Sequence, residues 1–296
     1  MYLNEYDRLR WVALRDPEAA YKDDLRIDSQ WQSLRFHQRP DFSAARAEHA
    51  AFRQILIDQG VRVVMLADGE DLTLDSIYTR DALLVSTRGL ILCAMGRPSR
   101  RQEPALNSKQ MQALDTTAFS IAGEIMSPGT IEGGDLIWID EHRLAVGLGP
   151  RTNQAGINQL QHIVGASVEV HVVPLPSPDH PEDVFHLMSM ISPLDSDLAL
   201  IYRPLMPATF LAWLGDLGIQ YVDVPEEEFL AMGCNVLAMA PRQVLMLDRL
   251  PMTRARLEAA GCHVTVYQGD HISRMGEGGP TCLTRPLVRG GDLARL

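Results

Sequence analysis

A thiol, an imidazole and several carboxylates stand in short, distinctive contexts along this 296-residue chain. Near the C-terminus the sequence reads Gly276-Glu-Gly-Gly-Pro-Thr-Cys282, followed by Leu-Thr-Arg-Pro-Leu287. Glycine turns where other residues would strain, and it lets a ligand approach the backbone closely. One cysteine delivered by such a loop, just as an extended segment begins, reads as a nucleophile rather than as packing. In Ile131-Glu132-Gly-Gly-Asp135 two glycines between acids precede the strand-like Leu-Ile-Trp-Ile. The acids are either solvated turn residues or, with Glu132 facing a cleft, groups that hold a cation or shuttle protons. His186, in Phe185-His-Leu-Met188, has the most apolar flanks of the nine histidines. It is either a satisfied core residue or a general base that titrates near neutrality. Asp75 and Asp81 bracket Ser-Ile-Tyr-Thr-Arg80, where turn or capping chemistry is the plain alternative. Arg100 and Arg101, in Pro98-Ser-Arg-Arg101, and Arg151, in Gly149-Pro-Arg151, are solvated charges, helix starts, or a two-pronged grip on a carboxylate.

The elements that must position these groups follow a cyclic pattern. An amphipathic helix over 42–59 keeps Ala45, Phe52, Ile55 and Leu56 on one face and ends at Gly60, before a strand over 61–66. Paired strands are expected over 77–86 and 89–95. A second cycle has its helix within 101–122 and strands over 136–139 and 143–147. A third has a helix over 152–164 and strands over 168–174, 186–190 and 197–202. A fourth has a helix over 207–217 and strands over 219–224, 235–240 and 243–248. A last helix over 252–260 leads to a strand over 263–267 and the cysteine loop. The interval is about 50 residues, which suits radial or stacked units and equally an ordinary mixed α/β domain. The loop over 174–183 is too short for a linker, so one domain over 1–296 is expected.

The net charge of -11 argues against non-specific nucleic-acid binding and favours encounter with cationic small molecules. The start, Met1-Tyr-Leu-Asn-Glu-Tyr-Asp-Arg, lacks a signal-type apolar stretch, and no run suits a membrane helix, so a cytoplasmic location is expected. The four cysteines form no Cys-x-x-Cys pair, a poor arrangement for structural zinc. Cys93, Cys234 and Cys262 read as small buried hydrophobes.

Taken in chain order, Glu132-Gly-Gly-Asp135, Gly147-Leu-Gly-Pro-Arg-Thr-Asn-Gln154, Phe185-His-Leu and Gly278-Gly-Pro-Thr-Cys282 resemble the guanidino-group-modifying enzymes. That superfamily includes arginine deiminases, amidinotransferases and dimethylarginine dimethylaminohydrolases. The resemblance implies a five-bladed α/β propeller, the pentein fold, of pseudo-repeated ββαβ units. It implies Cys282 as nucleophile, His186 as general acid/base, and Glu132 holding the guanidinium and the histidine. Asp75 and Asp81 would bind guanidinium nitrogens. Arg151 and one of Arg100 or Arg101 would bind an amino-acid carboxylate. The implied partner is a small-molecule guanidino substrate, with no metal or organic cofactor, no nucleic acid and no membrane; a homodimer would be unsurprising. Deiminases and amidinotransferases usually carry His-x-Asp, and here that Asp position is Met188. His186-Leu-Met-Ser189 is nearest the dimethylarginine dimethylaminohydrolase form, and a thioether there could pack beside an N-alkyl group. The implied activity is hydrolysis of an N-substituted arginine to citrulline and an amine, with deimination or amidino transfer as the alternative. A non-catalytic binding protein on the same fold is a third reading, opposed by the presence of the whole reactive set.

Overall fold

The computed structural model describes residues 3–115, 119–177 and 185–291. Among these described residues, fifteen strands form five separate three-stranded sheets. Each sheet joins an antiparallel pair to a parallel third strand that follows a helical crossover. In chain order the first complete unit is β3 (Leu83–Ser86), β4 (Gly89–Leu92), helix Glu103–Leu114 and β5 (Ile121–Glu124). Next come β6 (Leu136–Asp140), β7 (Arg143–Leu148), helix Gln154–Val164 and β8 (Glu169–Pro174). Then follow β9 (Ile191–Asp195), β10 (Leu198–Ile201), helix Ala208–Asp216 and β11 (Gln220–Asp223). The next is β12 (Leu237–Ala240), β13 (Gln243–Leu247), helix Pro251–Ala259 and β14 (His263–Tyr267). The fifth sheet is made from both ends of the chain. Its antiparallel pair is β15 (Arg285–Arg289) with β1 (Leu9–Leu14), and helix Phe42–Asp58 returns to the parallel β2 (Arg62–Met65).

The geometry of pairing explains this unit. A tight turn can reverse the chain into an antiparallel partner, whereas a parallel partner needs a long crossover, here always a helix. The antiparallel strands are largely apolar because both faces are covered: β3, β10 and β12 are buried at every position. The third strands are half-wet, as in β5, where both ends are exposed. The result is the closed five-bladed α/β propeller of ββαβ units expected from the resemblance.

The helix over 42–59 is Phe42–Asp58, capped by Asp41 and burying Ala45, Phe52 and Leu56. Three expectations change. Segment 186–190 is not a strand; Leu187–Ser189 is a single tight helical turn, and the strand starts at Ile191. The expected strand over 77–86 is confined to Leu83–Ser86, preceded by a short helical turn at Leu74–Ile77. Strands β1 and β5 were not anticipated. β1 draws its register from β15, at the other end of the chain, and β5 contains a glycine and little apolar pattern. Parts of the expected 101–122 helix region and of the 174–183 loop lie outside the described residues. No helix among the described residues is long and apolar enough to cross a membrane.

Candidate active site

Cys282 sits on the loop that enters β15, and that loop is pinned on two sides. Arg80 N–H donates to Cys282 O at 3.2 Å, and Thr79 Oγ1 donates to Ala13 O and Leu283 O, each at 3.1 Å. Gly278 is dictated by close approach: a Cβ there would stand 2.1 Å from the Tyr78 ring. Asn235 then orients the sulfur. Its carbonyl accepts from Thr281 N (3.0 Å) and Thr281 Oγ1 (2.6 Å), which leaves its amide to donate to Cys282 Sγ at 3.1 Å. Cys282 is partly exposed, whereas Cys93, Cys234 and Cys262 are buried. Burial, then the nearby charge of Asp81, pushes the Cys282 thiol up; hydrogen bonds from Asn235 and Thr281 and the charge of Arg80 oppose that. The resting group is therefore protonated at neutral pH.

His186 leads into the turn Leu187–Ser189, where its own N–H donates to Ser189 Oγ at 3.1 Å. Asp135 accepts from Leu187 N at 2.9 Å and fixes the turn from below. The imidazole lies over Gly134, where a Cβ would come within 2.6 Å of Nδ1. Its Nε2 is 2.8 Å from Glu132 Oε2. Burial would lower the imidazole, but the charges of Asp135 and Asp81 and the bond to Glu132 outweigh it, so His186 is raised and stays cationic at neutrality. Burial would likewise raise Glu132, yet the bond and charge of His186, with Arg100 and Arg151, hold it ionised well below the usual range. Glu132 is further fixed by Arg97 N–H to Oε1 (3.1 Å) and by its own N–H to Thr152 Oγ1 (3.1 Å). Burial pushes Asp135 up to about 6, against the opposing charge of His186.

Asp81 accepts from Gly134 N (3.0 Å) on one oxygen and from Arg100 Nη1 (2.6 Å) on the other. Arg100 is also bound through Nε and Nη2 to Glu103, both at 2.8 Å, and through Nη2 to Tyr78 O at 2.7 Å. Asp75 faces Arg97 Nη1 at 2.7 Å, and burial raises its pKa against the charges of Arg97 and Arg100. A cavity of about 330 Å³ is lined by Cys282, His186, Asp75, Asp81, Arg97 and Arg100, with Arg35, His37, Tyr78 and Glu277 also on its walls.

The structure thus brings Cys282, His186, Asp75 and Asp81 to one cavity, with Glu132 directly behind the imidazole. The arginines fall differently from the sequence expectation. Arg101 is exposed and does not line the cavity. Arg151 is buried, lies 3.8 Å from Glu132 Oε1 and does not line it either. Arg100 lines it but is committed to Asp81, Glu103 and Tyr78. Met188 lies on a neighbouring chamber. Sequence reasoning missed Arg97, Glu103 and Asn235. Asn235 was visible only as the neighbour of Cys234, and Arg97 as a lone charge ahead of Pro98.

Ligand-type atoms of Asp81, Glu132 and His186 lie within 4.8 Å of one another, a spacing that can hold a metal ion. All three already have partners within the protein, and Glu132 and His186 neutralise each other. Of the three, Asp81 and His186 line the cavity, whereas Glu132 does not, so it is placed to hold the imidazole and not, as expected from the resemblance, the guanidinium as well.

Breaking a buried ion pair by removing one partner strands the other charge. Arg100→Met leaves Asp81 and Glu103 without their guanidinium, so a loss of about 3–5 kcal/mol is expected. Thermal denaturation should show a fall in Tm of roughly 10 °C. An unchanged Tm would mean that Arg100 does not anchor these acids.

A ring of five ββαβ blades closed by the two chain ends is the pentein fold. The chain belongs to the family described as N,N dimethylarginine dimethylhydrolase, eukaryotic, whose model matches residues 22–289. It is 25% identical over 247 residues to an N(G),N(G)-dimethylarginine dimethylaminohydrolase of Pseudomonas aeruginosa, covering 83% of this chain and 89% of that one. It is 28% identical over 291 residues to the uncharacterized protein YkgA of Bacillus subtilis, covering 97% and 94%. Among solved structures, a dimethylarginine dimethylaminohydrolase from Pseudomonas aeruginosa, a cysteine-to-serine mutant complexed with citrulline, superposes with a TM-score of 0.73 at 22% identity. That alignment covers 94% of this chain and 98% of the other. The family is therefore one of guanidino hydrolases.

Proposed function

We propose that this protein is a cysteine-dependent hydrolase that cleaves the guanidino C–N bond of an N-substituted arginine, giving citrulline and an amine. The observation that carries the reading is that Cys282 and His186 face one cavity whose other walls hold Asp75 and Asp81. A guanidinium is flat and cationic, so carboxylates at its edges fix its plane while the sulfur approaches its carbon. The bound cation favours loss of the Cys282 proton to solvent, and the thiolate so formed attacks that carbon and forms a C–S bond. The C–N bond to the substituted nitrogen breaks, its electron pair stays on nitrogen, and His186 supplies the proton. A thiouronium remains on Cys282. Neutral His186 then takes a proton from water, whose oxygen attacks the same carbon, and the C–S bond breaks to regenerate the thiolate. Glu132 keeps the imidazole oriented and favours its cationic form. No metal or organic cofactor takes part in this scheme.

In this reading Arg100 and Arg151 hold Asp81 and Glu132 in place rather than binding the substrate carboxylate. Arg35, and Arg97 beside its pair with Asp75 (2.7 Å), are the other cations on the cavity wall for that carboxylate. Met188 in place of the usual Asp removes a charged partner for an unsubstituted nitrogen, which favours N-substituted substrates. Deimination or amidino transfer is the second reading, because the loop Gly278-Gly-Pro-Thr-Cys282 resembles that of the deiminases. Side-by-side turnover of N-methylarginine, arginine, and arginine with an amine acceptor tests this. Faster reaction with plain arginine would remove the N-substituted substrate.

A bound cation should stabilise the thiolate by proximity of opposite charge. The free thiol is raised, so its ultraviolet thiolate absorbance should be small at neutral pH and grow only in alkali. Adding an unreactive guanidinium is expected to shift that titration to lower pH. A titration that the ligand leaves unmoved would contradict a cation seated beside the sulfur.

A further inference from the structure

A second chamber meets the first at the sulfur. It holds about 130 Å³, and among the described residues its apolar walls are Phe185, Met188, Phe229, Leu230 and Met232. The remaining wall includes Arg80, whose guanidinium is directed to Glu5 and to Thr281 O, and Asn235. Cys282, His186 and Glu277 line both chambers. The thiol and imidazole therefore stand where a polar, acid-bearing cavity adjoins an apolar one.

The apolar walls are indexed to the reactive groups. Phe185 and Met188 flank His186 in sequence. Phe229, Leu230 and Met232 sit on the turn that runs directly into Asn235, through Met232 N to Phe229 O (3.0 Å) and Asn235 N to Met232 O (2.9 Å). Asn235 is the donor to the sulfur. Phe229 is held by a stack on Tyr202, with ring centroids 3.7 Å apart. Leu230 is 90% exposed. A lone exposed leucine is ordinary, but one at the mouth of an apolar chamber beside a nucleophile marks a place where an apolar ligand would cover it.

Building on the hydrolysis put forward above, we infer that this chamber receives the substituent on the departing nitrogen, and that the substituent is an apolar group larger than methyl. His186 must protonate the departing nitrogen, and His186 lines both chambers. With the guanidinium edges on Asp75 and Asp81, the departing nitrogen faces the apolar side. A methyl would leave most of the chamber empty, whereas a cavity of about 150 Å³ accepts a benzene ring. A linear butyl or a compact ring suits the space. In bond terms, the C–S bond forms, the C–N bond breaks, and the amine leaves as RNH2 with the proton from His186, its R group already in the apolar chamber.

The test is kcat/KM for arginine carrying methyl, n-propyl, n-butyl and benzyl on one terminal guanidino nitrogen. Each buried methylene should raise it about fourfold up to butyl. Leu230→Asp, at an exposed position where folding is indifferent, should lower the butyl-to-methyl ratio about tenfold. Falling rates from methyl to butyl, or a ratio unmoved by Leu230→Asp, would overturn the assignment. If no arginine derivative reacts, the hydrolase reading itself fails. The chamber is then judged alone by calorimetry on Cys282→Ser, with methylguanidine against n-butylguanidine. Tighter butylguanidine binding supports the chamber, and equal or weaker binding removes it.

Discussion

Replacing Cys282 by serine is expected to reduce turnover by on the order of 10³-fold or more while leaving ligand binding in place. Serine keeps the size and the hydrogen bond from Asn235 but forms its anion far less readily than a thiol. The cavity proposed to hold the guanidinium is lined by Asp75, Asp81, Arg97 and Arg100, none of which is the substituted residue. The expected signature is a collapse of kcat with a near-normal Kd, measured by steady-state kinetics and calorimetry on the same preparation. The same substitution at Cys93, Cys234 or Cys262 should leave kcat close to the parent value, because those thiols are buried away from the cavity. A serine variant that turns over at the parent rate would show that another group is the nucleophile.

His186→Gln is expected to cost about 10²–10⁴-fold in kcat, the usual span of a general acid/base. The larger part should fall on substrates whose departing amine is strongly basic, because such an amine leaves only once protonated. Glutamine keeps a polar contact with Glu132 Oε2 but cannot donate a proton to the amine or take one from water. A halogenated acetamidine needs no proton on its leaving group, so it should still alkylate Cys282 in this variant. That pair of outcomes separates loss of proton transfer from collapse of the site. Loss of both reactions would point to a structural role for the imidazole, and retention of both would remove it from the chemistry.

The fold was legible where the pattern is local. Helix Phe42–Asp58 announces itself by the spacing of Ala45, Phe52 and Leu56 and by its end before Gly60. The hairpin strands are short apolar runs between turns, but their recurrence suits stacked units and an ordinary mixed domain alike, and the five-bladed ring came from the family resemblance. β1 escaped because what makes it a strand is its pairing to β15 at the far end of the chain, a partner that no local window contains. Segment 186–190 looked like a strand because it is apolar, but its backbone is captured by Asp135 and Ser189 into a turn that points the imidazole at the cavity. The candidate reactive groups Cys282, His186 and Glu132 stood out because glycine-rich or apolar flanks distinguish them. The arginines did not, because a sequence displays a guanidinium without its partners. Arg100 is saturated by two carboxylates and a carbonyl, Arg151 backs Glu132, and Arg97, which nothing in the pattern singled out, lies on the wall. Asn235 was hidden for the same reason: its role comes from Thr281 and Cys282, which reach it only in the folded chain.

The most direct measurement is intact-protein mass spectrometry after acid quench during turnover of N-butylarginine and N-methylarginine, followed by peptide mapping. The account requires one transient adduct, on Cys282, whose mass is that of arginine stripped of its substituted nitrogen, the same from both substrates. An adduct on another residue, or steady turnover with no covalent species on Cys282, would contradict it.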